Sequence, residues 1–208
     1  MKYQLDASHI DDIPSAVLYR RAMDHYPKSS IGCFVINDDW SEQALLDLKK
    51  KSEAWFLVGL QTNDHEYEHL DMIEGIIRCQ PDEVNDVIKL LDINSASTII
   101  GIDVVDIKSL FDICNSFKFV QASATGEYES DLIKVAAHKL INKLEKVHNI
   151  KALFVGMCGI QSSPLETCSY ISETVEALLS NDDVSIYYCS SMIDELSTFR
   201  LKAIYAEE

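Results

Sequence analysis

Apolar positions along this chain follow two rhythms. Continuous apolar runs of strand length stand at 31–37 (IGCFVIN) and 55–60 (WFLVGL), and further strands are read at 117–123, 150–158 (IKALFVGMC), 184–190 (VSIYYCS) and 199–206 (FRLKAIYA). A run with no polar face predicts a strand covered on both sides. Between these runs the spacing lengthens to three and four residues, the period of a helix. Segment 41–51 carries Ala44, Leu45 and Leu48 on one side behind a capping Ser41, and 81–91 opens on Pro81, which a first turn tolerates. Segment 129–147 carries Leu132, Val135, Ala136, Leu140, Ile141 and Leu144, and 165–179 keeps the same period. Helical spacing also predicts helices over 13–26, through Ile13, Val17, Leu18, Arg21 and Met23, and over 63–78; 2–5 reads as a short strand. Two apolar strands joined by the 41–51 helix form a βαβ unit, so the alternation predicts an α/β protein with a parallel sheet.

The stretch 97–114, STIIGIDVVDIKSLFDIC, combines both rhythms. An apolar run (Ile99, Ile100, Ile102) meets Asp103 and Asp106, and a helical pattern of Ile107, Leu110, Phe111 and Cys114 follows. A spacing of three puts both carboxylates on one side of the first turn, where the helix dipole favours negative charge. A helix cap therefore accounts for the pair on local grounds alone.

Composition narrows the partners. With 34 acidic and 18 basic residues among 208, the net charge is −16, which repels phosphate backbones and anionic lipid; neither nucleic acid nor membrane is expected. The six cysteines, 33, 79, 114, 158, 168 and 189, form no CxxC pair and lie in apolar patterns, as reduced core residues of a cytoplasmic protein do. No apolar stretch is long enough to span a bilayer, and the N-terminal segment lacks the apolar core of a signal peptide. One string, His65-Glu66-Tyr67-Glu68-His69, has the HExxH form of a zinc helix. Asp64, Glu68 and Asp71 make it a solvated face, so coincidence explains it better and no metal is expected. The seven glycines include no adjacent pair and no GxxxxGK[ST] or GxGxxG string, which leaves a phosphate cradle hard to place.

From about Ile99 to Ala206 the order of segments resembles the C-terminal domain of the bacterial tubulin homologue FtsZ. The family's NxDxxD loop corresponds to 101–106 (GIDVVD) and its GxAxGE turn to 121–127 (QASATGE). The strand and helix that follow look like 152–159 and 165–179, and the closing hairpin looks like 184–190 with 201–206. Upstream, 57–64 (LVGLQTND) is similar to the family strand that ends in Asn-Asp, and Asn85 sits on what would be the long central helix, at the base-contacting asparagine. Segment 13–37 is similar to the helix and strand after the family's signature loop. That glycine-rich signature, expected near 7–14, reads ASHIDDIP, with two aspartates where phosphate would sit. Gly101 replaces the loop asparagine, and EYESDL offers no counterpart to the arginine after the GxAxGE turn.

The resemblance implies an N-terminally truncated FtsZ-like chain without phosphate-binding loops. Residues 1–80 would be a partial, parallel Rossmann-like remnant of the GTPase domain, 81–96 a central helix and connection, and 97–208 an FtsZ C-terminal-like α+β domain with a mixed four-stranded sheet. In the family, nucleotide sits on one protomer and the acidic loop of the next completes the hydrolytic site. A chain that keeps the loop without the cradle would bind FtsZ-like filament subunits, or itself, through Asp103 and Asp106 and modulate assembly in cell division without being a GTPase and without a cofactor. Two alternatives stand beside this. One is a self-assembling structural homo-oligomer whose copies cover an open sheet edge. The other is weak GTP binding through Asn63 and Asn85, with Asp103 and Asp106 positioning water in trans.

Overall fold

The computed structural model describes residues 13–37, 40–64, 70–95, 97–147, 149–159, 164–179, 184–192 and 197–207. The strand expected at 2–5, residues 7–12 of ASHIDDIP and the HExxH string lie outside the described residues. In chain order the elements are β1 (Ala16–Tyr19), β2 (Ile31–Val35), α1 (Glu42–Ser52), β3 (Phe56–Gln61), β4 (Gly75–Arg78), α2 (Val84–Leu91), β5 (Thr98–Ile100), α3 (Val104–Ile113), β6 (Ser116–Thr125), α4 (Glu129–Leu144), β7 (Ile150–Gly159), α5 (Pro164–Leu178), β8 (Ser185–Ser191) and β9 (Thr198–Glu207). Short 3-10 turns stand at Leu70–Met72 and, just before α2, at Pro81–Glu83.

Among the described residues all nine strands belong to one sheet, in the order β1-β2-β3-β4-β6-β9-β7-β8-β5. This corrects the expectation of a partial sheet joined to a separate four-stranded one. The cause is the length of β6. Its first residues pair in parallel with β4 (Ile76 with Ser116, Ile77 with Phe117, Arg78 with Lys118), and from Lys118 to Thr125 it pairs antiparallel with β9. The residues after 97 thus contribute five strands to the shared sheet, with β5 antiparallel to β8 on its outer edge.

Two expected helices are strands. The run 13–26 yields β1, whose Ala16–Tyr19 pair in parallel with Ile31–Phe34, so β2 takes the backbone groups a helix would have satisfied internally. Apolar spacing there fits both periods: Val17 and Tyr19 join one face of the sheet, Ala16 and Leu18 the other. Segment 63–78 ends in β4, where Ile76 and Ile77 point to opposite faces. Gly75 explains why this strand lies so close to α3. A Cβ there would stand 2.6 Å from Phe111 Cδ1 and 2.9 Å from the Asn115 carbonyl oxygen.

Helices cover both faces. On one, α2 and α3 bury a cluster that runs without a break from Ala16 and Ile31 through Ile77 and Phe117 to Phe154 and Ile204. On the other, α1 packs over β1–β3, and α4 and α5 pack over β6, β7 and β9, as two separate clusters. Between those two clusters Gln61, Arg78, Lys118 and Tyr205 follow one another as cross-strand neighbours on the same face.

Candidate functional site

Asp103 and Asp106 fold into a reciprocal cap. Asp103 is the N-cap of α3, and its Oδ1 accepts the Asp106 amide at 2.9 Å; Asp106 Oδ2 accepts the Asp103 amide at 3.0 Å. One oxygen of each carboxylate is thus used to satisfy amides that a helix start leaves open. The turn nevertheless faces solvent, with Val105 56% exposed between the two acids. Ile102 and Val104 reach back to the α2/α3 cluster and fix the turn on the body of the protein. By contrast Ser41, at the N-cap of α1, makes no side-chain capping bond.

Asn63 and Asn85 do not come together. Asn63 lines a cleft of about 720 Å³ at the end of β3 and β4, beside Gln61, Arg78, Glu83, Lys118 and Tyr205. Its polar groups hydrogen-bond one another or residues beside the cleft: Arg78 Nε donates to the neutral amide oxygen Gln61 Oε1 at 3.0 Å, Lys118 pairs with Glu207, and Gln121 Nε2 donates to Glu83 at 3.3 Å. Burial, then the nearby carboxylates of Glu83 and Asp82, push the Cys79 thiol in its wall up to about 11.

Asn85 lines a second cleft, of about 450 Å³, where β1 and β2 end beside the start of α2. Such a place, outside the carboxyl ends of parallel strands, is where α/β sheets commonly take ligands. Its walls are Leu18, Tyr19 and Val35, the indole of the buried Trp40, Asn37, Pro81 and Val84, with Arg20 and Arg21 at the rim. The Arg21 guanidinium lies 5.7 Å from the centre of the Trp40 ring. Tyr19 helps set the rim by donating its hydroxyl to the Pro27 carbonyl at 2.5 Å. Neither Asp103 nor Asp106 lines either cleft.

A helical reading of 13–26 hides the two arginines, because it places Arg21 inside a helix and not at the end of a strand. An adjacent Arg-Arg pair closing the apolar AVLY run in so acidic a chain was the available signal. A buried charge was missed as well. Lys202 on β9 is 4% exposed and pairs with Asp86 of α2 at 2.9 Å, joining the helix to the sheet. Among the described residues no cluster of three or more His, Cys, Asp or Glu could hold a metal, and no helix is long and apolar enough to cross a membrane.

No protein-family model matches this chain, and no curated protein matches it by sequence. Solved structures do. A point mutant of FtsZ from M. jannaschii superposes with a TM-score of 0.64 at 16% identity, over 85% of this chain and 65% of that one. The fold is the FtsZ fold. An empty FtsZ dimer from the same organism gives a TM-score of 0.60 at 11% identity, over 84% and 62% of the two chains. CetZ2 from Haloferax volcanii, a GTPγS-bound protofilament, gives 0.57 at 10%, over 86% and 65%. The chain spans less than two thirds of the length of each of these FtsZ-like structures.

Proposed function

We propose that this chain is a cytoplasmic, FtsZ-like protein that binds filament subunits or copies of itself and modulates assembly in cell division, without hydrolysing GTP. Asp103 and Asp106 form the contact. The observation that carries this is how the glycines are used. None has a positive φ, and at Gly32, Gly59, Gly75, Gly156 and Gly159 an added Cβ would lie only 2.4–2.8 Å from a neighbouring side chain. Close packing between strands and their cover is the use these five glycines have, and it supports the reading of a chain that does not hold a triphosphate. The exposed acidic turn, with one oxygen of each carboxylate left over from the cap, is by contrast available to a second molecule.

Self-association is the second reading with support, since the FtsZ and CetZ2 structures above are a dimer and a protofilament. GTP binding through Asn63 and Asn85 has less, because the two side chains line separate clefts. Titration calorimetry with GTP and Mg²⁺ tests the claim of a non-GTPase. No micromolar binding is expected, and micromolar binding within a single copy would end it.

A further inference from the structure

The chain leaves two neighbouring parallel strands, β3 and β4, toward opposite faces of the sheet. After β3 it passes over the α1 side, where Met72 and Ile73 join the α1 cluster. After β4 it turns to the other side, where Val84 and Val87 of α2 join the continuous cluster. Diverging connections open a crevice outside the carboxyl ends of the strands, and α/β sheets take ligands at such places. Strand β6 runs on past the end of β4, which deepens the notch. The resulting cleft of about 720 Å³ has the size of a small-molecule site and lies apart from Asp103 and Asp106.

Its polar groups are unevenly used. Arg78 engages only Nε, with the neutral Gln61 amide; among the described residues its two terminal nitrogens have no partner and no carboxylate pairs with it. The Tyr205 hydroxyl has no hydrogen-bond partner among them either, and burial raises its pKa, so it stays a donor. Lys118, held by Glu207, lies between the two in one cross-strand row. Arg78 and Tyr205 thus stand two strand spacings apart, roughly 10 Å at Cα, and two long side chains can meet over that span. We infer that this cleft binds a small organic carboxylate. The Arg78 fork takes its two oxygens, the Tyr205 hydroxyl donates to one of them, and an apolar body lies against Ile76 and Phe119. Charge selects the class: Asp64 and Glu83 offset Arg78 and Lys118 in the same lining, so one spare guanidinium suits a monoanion and not a phosphate dianion.

Titration of the isotope-labelled full chain with hydrocinnamate, followed through its amide NMR shifts, tests this. Saturable shifts are expected, largest at residues 62–64, 78–80 and 118–119, with a Kd of about 1 mM or tighter, as befits so small a ligand. Hydrocinnamamide, which has the same shape without the charge, and inorganic phosphate should each bind at least about tenfold more weakly. Arg78→Gln should weaken hydrocinnamate binding at least about tenfold, and Tyr205→Phe, which removes only a hydroxyl, about fivefold. Thermal melts that match wild type show that both variants are folded. Absence of saturable shifts up to about 10 mM hydrocinnamate overturns the inference. Equal binding by Arg78→Gln overturns it too, since the anion then sits elsewhere, and so does binding of the amide or of phosphate as tight as that of the carboxylate.

Discussion

The two faces of the sheet solve the same problem differently. Under α2 and α3 the apolar cluster crosses from β4 to β6 without interruption: Phe111 packs on Phe117 with ring centres 4.9 Å apart and faces Phe56 at 6.1 Å. On the opposite face the clusters under α1 and α4 stop short of each other, and the gap is the polar row Gln61, Arg78, Lys118 and Tyr205. A continuous sheet needs a continuous core on only one side. The other side is then free to carry charge, and here Lys118 pairs with Glu207 while Arg78 donates to the amide of Gln61.

Breaking the continuous face should cost most. Phe111→Ala should lower unfolding free energy by about 3–5 kcal/mol in urea titrations, as deletion of a buried ring does. Lys202→Ala removes the charge that α2 meets on that face and leaves the partly buried Asp86 alone, at a cost of about 3 kcal/mol. Gly75→Ala forces Phe111 and the Asn115 carbonyl apart, for about 1–3 kcal/mol. On the interrupted face, Arg78→Gln or Lys118→Gln should change stability by no more than about 1 kcal/mol, since both side chains remain within reach of water. Equal costs on the two faces would mean that the polar row, too, holds the halves together.

Alkaline pH probes the continuous face through its thiols. Cys33, Cys79 and Cys189 all belong to the continuous cluster, and burial raises each thiol, Cys79 to about 11 and Cys189 to about 12. A thiol that ionises later in the folded than in the unfolded chain stabilises fully below its unfolded value near 9. Above that the unfolded chain loses protons first, so stability falls as pH rises toward 11–12. Urea midpoints that are flat from pH 7 to about 8.5 and decline beyond it are expected. Cys79→Ala should shallow the decline.

Much of this architecture was legible in the sequence, and the misses share a cause. The βαβ unit of β2, α1 and β3 and the long helices α4 and α5 announce themselves because each has enough residues to display a period. Strands β1 and β4 have four residues each, too few to distinguish alternation from helical spacing, and only their neighbours decide the matter. The single sheet depends on β6 continuing past the pairing with β4, a matter of register that composition does not carry. At the candidate site Asp103 and Asp106 were readable both as cap and as contact, and the cap proved reciprocal. Arg20 and Arg21 were lost with β1, because a rim exists only once the strand beneath it is recognised.

That reciprocal cap also dictates which variants are informative. Asp103→Ala with Asp106→Ala removes two capping acceptors and should cost about 1–2 kcal/mol, so loss of binding could come from a frayed α3. Asp103→Asn with Asp106→Asn keeps side-chain oxygens for both amides and removes only the charge. The direct measurement is therefore co-sedimentation of this Asn pair, beside wild type, with an FtsZ-type filament protein. Wild type in the pellet with the Asn pair left in the supernatant, at equal thermal stability, is the predicted result. Equal pelleting of the two proteins would reduce Asp103 and Asp106 to a helix cap and contradict the account.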